Sequence, residues 1–144
     1  MKLKYLQRPY AKWTERIPVS KEYPRSWVIL LDMEIELSDG YILKVKKGTV
    51  WDGASFPKWI WWLFSPIDEA AIGDLIHDVL WTDKKNQFRY FKYNIYKARK
   101  FADIERLKWR TTLAPTKNIK NYSSHLFLRV FGGLFYSNQI EIPK

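Results

Sequence analysis

The strongest constraint on the fold is the strict alternation of apolar and acidic residues from Leu31 to Leu37. The four odd-numbered positions are apolar, and the three even-numbered positions between them are acidic. Successive side chains of a β-strand point to opposite faces of a sheet. The segment is therefore predicted to be a strand with one buried face and one solvated face.

A second strand is predicted from Tyr41 to Lys47, joined to the first by the loop Ser38-Asp39-Gly40. A three-residue loop sets apolar residues opposite one another and lysines opposite acidic residues. A two-residue loop would place Glu36 opposite Leu43, so the pattern selects the register. The predicted pairs are Leu37 with Tyr41, Ile35 with Leu43, Met33 with Val45, Glu34 with Lys44 and Asp32 with Lys46.

After the hairpin the apolar residues follow helical spacing, and Thr82 to Tyr93 is predicted to be a polar and aromatic loop. The last predicted helix is apolar nearly all round, so we expect it to be central to the core or covered by another subunit. The predicted helices are Pro57 to Phe64, Asp68 to Trp81, a helix capped by Asn94 that reaches Leu113 before Pro115, and Tyr122 to Tyr136.

These elements predict an α+β fold, in which an N-terminal β-hairpin or small antiparallel sheet precedes three to four helices. The length of 144 residues suits one small domain. The first 26 residues contain Pro9, Pro18 and Pro24 and are predicted to form an irregular or weakly extended arm. Residues 27–144 are predicted to form the single α+β domain.

Composition limits the classes of function and location. The absence of cysteine excludes disulfides, thiolate metal sites and a cysteine nucleophile. No apolar stretch approaches the roughly 20 residues of a membrane-spanning helix. No apolar run follows the basic segment Met1 to Arg16, so we expect no secretory signal.

The net charge of +10 is concentrated in residues 84–120. That segment has twelve Lys or Arg residues against Asp103 and Glu105, whereas the rest of the chain balances thirteen basic residues against thirteen acidic ones. Such a segment attracts phosphate groups of nucleic acid or anionic lipid, although a solvated helix face is an equal interpretation. The candidate basic surface comprises Lys84, Lys85, Arg89 and Lys92.

A candidate catalytic site follows from helical spacing, which puts Asp74, His77, Asp78 and Trp81 on one face. Gly73 lets a neighbouring backbone approach this face closely. His77 is a candidate general base because the unperturbed pKa of histidine lies near neutrality.

Asp103, on the following helix, is the candidate carboxylate that orients His77. Arg99 and Arg106 stand four residues before and three residues after it, which is also the spacing of ordinary intrahelical ion pairs.

A cation site is the second chemical possibility. Asp78 and Asp52 can bind a hard cation such as calcium together with loop carbonyl groups. Gly53 permits unusual backbone conformations, and Trp51 and Ser55 flank it in the loop. These three residues, together with Asp74 and Trp81 of the helix, are candidate substrate or interface residues. Zinc is poorly supported, because His125 is the only other imidazole, so calcium or no metal is expected.

The chain resembles the phage and prophage proteins grouped as domain of unknown function 1353. The resemblance rests on motifs in the expected order, although the family usually has Thr at the Trp51 position and Tyr at the Trp81 position. It implies a phage or prophage origin and no particular activity. The matching motifs are Trp51-Asp52-Gly53-Ala54-Ser55-Phe56-Pro57, Ala70-Ala71, His77-Asp78-Val79-Leu80-Trp81, Ala102-Asp103 and Arg129-Val130-Phe131-Gly132.

A more distant resemblance links His77, Asp78 and Trp81 to the active helix of secreted phospholipases A2. In those enzymes a His-Asp pair precedes an aromatic residue by three positions, and an Asp of the next long helix supports the histidine. The resemblance implies that role for Asp103. The cysteines that flank the motif in those enzymes are absent here.

Three functions are therefore expected, in descending order. The first is a bacteriophage structural or assembly protein of the virion or tail, which packs against other phage structural proteins or itself, in the virion or the host cytoplasm. The second is a calcium-dependent, phospholipase-like ester hydrolase that docks on an anionic lipid surface through its basic segment and the tryptophans of residues 59–64. The third is a nucleic-acid-binding accessory protein.

Overall fold

The structure is a computed structural model that describes residues 1–5, 12–16, 27–51, 70–92 and 94–136. Strands precede helices along the chain, so the predicted α+β class is confirmed. Backbone contacts group the chain into two compact units, residues 1–53 and 54–144. The first unit contains the described strands and the second contains the described helices.

The first unit has two antiparallel sheets of three strands each. One sheet has the order β1-β4-β5 and the other has the order β2-β3-β6. The strands are β1 (Lys2–Tyr5), β2 (Thr14–Arg16), β3 (Trp27–Ile29), β4 (Met33–Glu36), β5 (Ile42–Val45) and β6 (Val50–Trp51).

The hairpin has the register that the alternation predicts. Met33, Glu34 and Ile35 lie opposite Val45, Lys44 and Leu43. The Leu37 amide donates to the Tyr41 carbonyl at 2.9 Å, which closes the three-residue loop. Gly40 adopts a φ of 88°, which side chains disfavour. The four apolar positions Leu31, Met33, Ile35 and Leu37 are all buried.

The N-terminal segment differs from the predicted irregular arm in its described residues, 1–5 and 12–16. β1 pairs with β4, where Leu3 lies opposite Ile35 and Lys2 opposite Glu36. β2 pairs with β3. Unlike charges at opposed positions favour such pairing. The irregular interpretation is therefore wrong for these residues, while the boundary between residues 26 and 27 stays a prediction.

The second unit contains four described α-helices. Within the described residues, none of them is both long and apolar enough to cross a membrane. The predicted helix 57–64 lies outside the described residues. The helices are α1 (Ala71–Thr82), α2 (Lys84–Phe91), α3 (Ile95–Leu113) and α4 (Asn118–Tyr136), with a 3₁₀ turn at Pro115–Lys117 before α4.

Two helix boundaries depend on side-chain caps. Asn94 accepts a hydrogen bond from the Lys97 amide at 3.0 Å, which confirms the predicted cap of α3. Asp83 accepts one from the Lys85 amide at 2.9 Å and begins α2. The predicted loop from Thr82 to Tyr93 is therefore wrong, because an Asp cap and helix-favouring Lys, Gln and Arg residues outweigh the missing apolar stripe.

Candidate functional site

α1 is buried on both of its faces. Asp74 and His77 are only 3% and 2% exposed, although the sequence places them opposite the apolar stripe. α3 covers this polar face, because a Cβ atom added at Gly73 would lie 3.2 Å from the Arg106 carbonyl oxygen. The predicted close approach of a neighbouring backbone at Gly73 is therefore confirmed.

The structure brings His77 and Asp103 together. His77 Nε2 lies 2.7 Å from Asp103 Oδ1, and Arg129 of α4 donates to Asp103 Oδ2, also at 2.7 Å. The His77 and Trp81 rings are in contact, with centroids 4.3 Å apart. Asp103 is fully buried. Both of its carboxylate oxygens thus accept hydrogen bonds, one from α1 and one from α4.

The protonation states follow from burial and from these partners. Burial lowers the pKa of His77 more than Asp103 raises it. Burial by itself raises the pKa of Asp103, but His77 and Arg129 outweigh it and hold this pKa below its ordinary value. A neutral His77 therefore donates through Nε2–H to an ionised Asp103.

A second buried group lies beside the first. Arg106 Nε donates to Asp74 Oδ1 at 2.7 Å, and Arg110 Nη1 donates to Asp74 Oδ2 at 2.8 Å. Arg106 also donates to Ser124 of α4 at 2.9 Å, and Arg110 donates to Asn121 of α4 at 3.1 Å. Asp74 thus connects α1 to α3, and the two arginines connect α3 to α4.

We call these eight buried or half-buried residues the three-helix polar network. The two arginines that flank Asp103 on α3 have partners on other helices. Arg99 Nη2 lies 3.5 Å from the Arg129 carbonyl oxygen of α4, and Arg106 pairs with Asp74 of α1. Asp103 is bonded from two other helices, so the intrahelical ion pairs considered from the sequence do not describe its main contacts. The network comprises Asp74, His77, Asp103, Arg106, Arg110, Asn121, Ser124 and Arg129.

The arginine, asparagine and serine members of this network were not predicted as site residues. Their signal in α3 is the recurrence of charged residues at helical spacing beside the apolar stripe, at positions 103, 106 and 110. In α4 the corresponding signal is weaker, because Asn121 and Ser124 precede a run of apolar residues.

Other predicted site residues lie apart from the network or outside the description. Asp78 is half-buried, and among the described residues no group of three His, Cys, Asp or Glu side chains could hold a metal ion. Trp51 is buried, and its Nε1 donates to Thr14 at 2.9 Å. Asp52, Gly53 and Ser55 lie outside the described residues, so the calcium site stays a prediction.

The basic segment is divided between the interior and the surface. Lys85, Arg89 and Lys92 are exposed, whereas Arg106 and Arg110 are buried and paired within the network. The side chain of Lys84 lies outside the description. Two of the twelve cations therefore neutralise an internal carboxylate and contribute little to the surface.

Comparison with known proteins identifies the family. The family model described as "Protein of unknown function (DUF1353)" matches residues 27–113, which is more than half of the chain. The chain belongs to this family. No curated protein and no solved structure matches the chain. The match includes α1 and α3, so the network residues of these two helices lie within the family region. The network residues of α4 lie beyond it.

Proposed function

We propose that this DUF1353 protein is a non-catalytic structural or assembly-associated protein, encoded by a bacteriophage and carried in the virion or tail. The observation that carries the proposal is the burial of both candidate catalytic groups. His77 is 2% exposed and Asp103 is fully buried, with both carboxylate oxygens bonded. A general base must reach a water molecule or substrate proton.

The network instead gives three helices a fixed arrangement. Its ionic hydrogen bonds join α1 to α3 and α3 to α4 with donor–acceptor distances of 2.7 to 3.1 Å. Buried polar groups that are hydrogen-bonded to one another favour one packing geometry and penalise alternatives. Such rigidity suits a protein that presents a surface to an assembly.

α4 supplies a candidate assembly surface. Four large side chains recur at intervals of three or four residues along this helix, which places them on one face. Tyr122, Leu126 and Val130 are 57%, 64% and 62% exposed, and Ile119 is 88% exposed. We call these four residues the α4 apolar row. An exposed apolar face of this kind is typical of protein–protein contacts.

A second copy of the chain is the occupant that this row fits best. The row carries no charge, so two chains of net charge +10 can meet there without opposing cations. The row has an apolar residue at each end, so it can pack against an antiparallel copy of itself. Two helices related in this way by a two-fold axis bury the same residues on each partner.

Leu126→Glu is expected to shift the protein from a self-associated form to a monomer, because it would bury a carboxylate in the apolar contact. Size-exclusion chromatography with light scattering measures the change. Leu113→Glu is the matched control, since Leu113 is 38% exposed at the end of α3 and lies off the row. A monomeric wild-type protein that is also absent from purified phage particles by mass spectrometry would contradict the proposal.

A calcium-dependent ester hydrolase is the second candidate, and the 2.7 Å contact between His77 and Asp103 favours it. In that function Asp103 orients His77, and Asp78 contributes to a calcium site. It requires water to reach the other ring nitrogen of a histidine that is 2% exposed. Calcium-stimulated turnover of phospholipid that disappears in His77→Gln, while the variant stays folded, would replace the structural proposal by this one.

A further inference from the structure

The exposed side of α2 is cationic and aromatic. Lys85, Phe88 and Arg89 follow the spacing of a single face of α2 and are exposed, Phe88 by 44%. Lys92 follows the end of the helix in the left-handed conformation and is also exposed. α2 has eight residues and rises roughly 12 Å, so the three cations lie close to one ring. The spacing of this row is that of an ordinary helix surface, but all of its charged residues are positive.

α3 extends the positive charge. Lys97, Lys100 and Lys108 are exposed and lie on one side of the helix, and Tyr96 is 60% exposed beside them. Tyr90 at the end of α2 stacks on Phe101 of α3 with centroids 4.2 Å apart. This ring contact fixes the end of α2 against α3, so the two cationic rows belong to one body of the second unit.

Neither acidic residue of the segment 84–120 lies at the surface. Its two acidic residues, Asp103 and Glu105, are 0% and 1% exposed. Asp103 binds His77 and Arg129, and Glu105 accepts a hydrogen bond from Trp109 Nε1 at 3.1 Å. Asp83, just before the segment, caps α2. Within residues 84–120 both carboxylates are therefore inside, whereas five described lysines are exposed, at positions 85, 92, 97, 100 and 108.

We infer that the exposed faces of α2 and α3 form a binding surface for single-stranded nucleic acid, a function beyond the proposed assembly role. The surface comprises Lys85, Phe88, Arg89, Lys92, Lys97 and Lys100. Cations spaced along two helices suit the repeated phosphates of a polynucleotide, and exposed rings among them stack on unpaired bases.

An anionic lipid surface fits these faces less well. A helix that lies in a lipid interface carries a continuous apolar face of Trp, Phe or Leu side chains opposite its cations. Among the side chains that the structure describes on α2 and the start of α3, the exposed large apolar ones are the rings Phe88 and Tyr96. Ile104 is 36% exposed further along α3. Of the described residues, the most exposed aliphatic side chains are those of Ile119, Leu126 and Val130, and they lie on α4 instead.

The test is binding of the full-length protein to a fluorescently labelled single-stranded DNA of about 20 nucleotides, measured by anisotropy over a range of salt concentrations. We expect the logarithm of the affinity to fall linearly with the logarithm of the salt concentration. The triple variant Lys85→Glu, Arg89→Glu, Lys92→Glu is expected to lose at least about tenfold in affinity. Its salt slope should fall by about 2, at roughly 0.7 per cation for single strands.

The matched control is the triple variant Lys12→Glu, Lys46→Glu, Lys47→Glu, which makes the same change in net charge at exposed positions of the first unit. It should keep an affinity well above that of the α2 variant. Phe88→Ala is expected to weaken binding roughly fivefold or more with an unchanged salt slope, because it removes stacking and no charge. Circular dichroism checks that each variant is folded.

Three results would overturn the inference. One is the absence of salt-dependent binding by the wild-type protein at low salt. Another is an equal loss of affinity in the α2 variant and its matched control, which would indicate attraction by net charge alone. The third is binding to phosphatidylserine-containing vesicles without binding to the DNA. None of these results bears on self-association through the α4 apolar row, so the two proposals fail separately.

Discussion

Replacing Asp74 with asparagine is expected to lower the free energy of unfolding by about 3 to 5 kcal/mol. The change keeps the side-chain shape and removes the charge that two buried guanidinium groups share. Arg106 and Arg110 are 2% and 1% exposed, so water cannot replace the lost carboxylate without opening the helices. Urea unfolding followed by circular dichroism measures the effect.

The matched control is Asp39→Asn in the exposed hairpin loop, where asparagine can keep the hydrogen bond from the Tyr41 amide. We expect this control to stay within about 0.5 kcal/mol of the wild-type protein. If Asp74→Asn fails to fold, the triple variant Asp74→Leu, Arg106→Met, Arg110→Leu removes the whole ion cluster instead of one partner. It is expected to fold, because apolar replacement of a buried ion cluster is often tolerated. A loss below about 1 kcal/mol in Asp74→Asn would contradict the network.

Asp103→Asn is expected to cost about 1.5 to 3 kcal/mol. Asparagine keeps only one acceptor oxygen, so it can satisfy either Arg129 or His77 Nε2–H and sets its own donor group against the other. Arg129 is 19% exposed, so part of its charge can turn to water, and the loss should be smaller than at Asp74. Thermal or urea unfolding of the variant beside Asp39→Asn measures it.

The pH dependence of stability separates this variant from the wild-type protein. An acid whose pKa is depressed on folding stabilises the protein above its unfolded pKa of about 3.9 and loses that contribution as the pH falls through the folded value. The lowered pKa of Asp103 therefore adds stability at neutral pH that disappears in acid. Asp103→Asn should remove this part of the acid dependence. An unchanged acid dependence would contradict an ionised Asp103 in the folded protein.

The parts of the fold that sequence predicts well are those whose partners are near in the chain. The alternation from Leu31 to Leu37 predicts both strand and register, because a single three-residue loop brings the partner strand into place. The Asn94 cap lies directly before the helix that it begins. Strands β1 and β2 could not be predicted from short polar segments, because each depends on a partner distant in sequence.

The candidate site shows the same dependence on distance. Spacing along α1 puts Asp74 and His77 on one face, and the resemblance to phospholipases A2 points to Asp103. The arginine partners come from α3 and α4. On α4 the usual burial of apolar residues and exposure of polar residues is reversed. Asn121 and Ser124 are fully buried on α4, whereas Leu126 and Val130 are more than 60% exposed. Hydrophobicity cannot predict that orientation, because the charges of α1 and α3 select it.

Nuclear magnetic resonance of the His77 ring nitrogens tests whether His77 and Asp103 form an internal structural contact. We expect a neutral Nε2–H tautomer at pH 6.5, where an unperturbed imidazole is half protonated, because burial lowers the pKa of His77. His125, whose pKa burial also lowers, is distinguished by assignment with His125→Gln. A His77 ring that is half protonated at pH 6.5, or that carries its proton on Nδ1 alone, would rule out a neutral His77 that donates to Asp103 through Nε2–H.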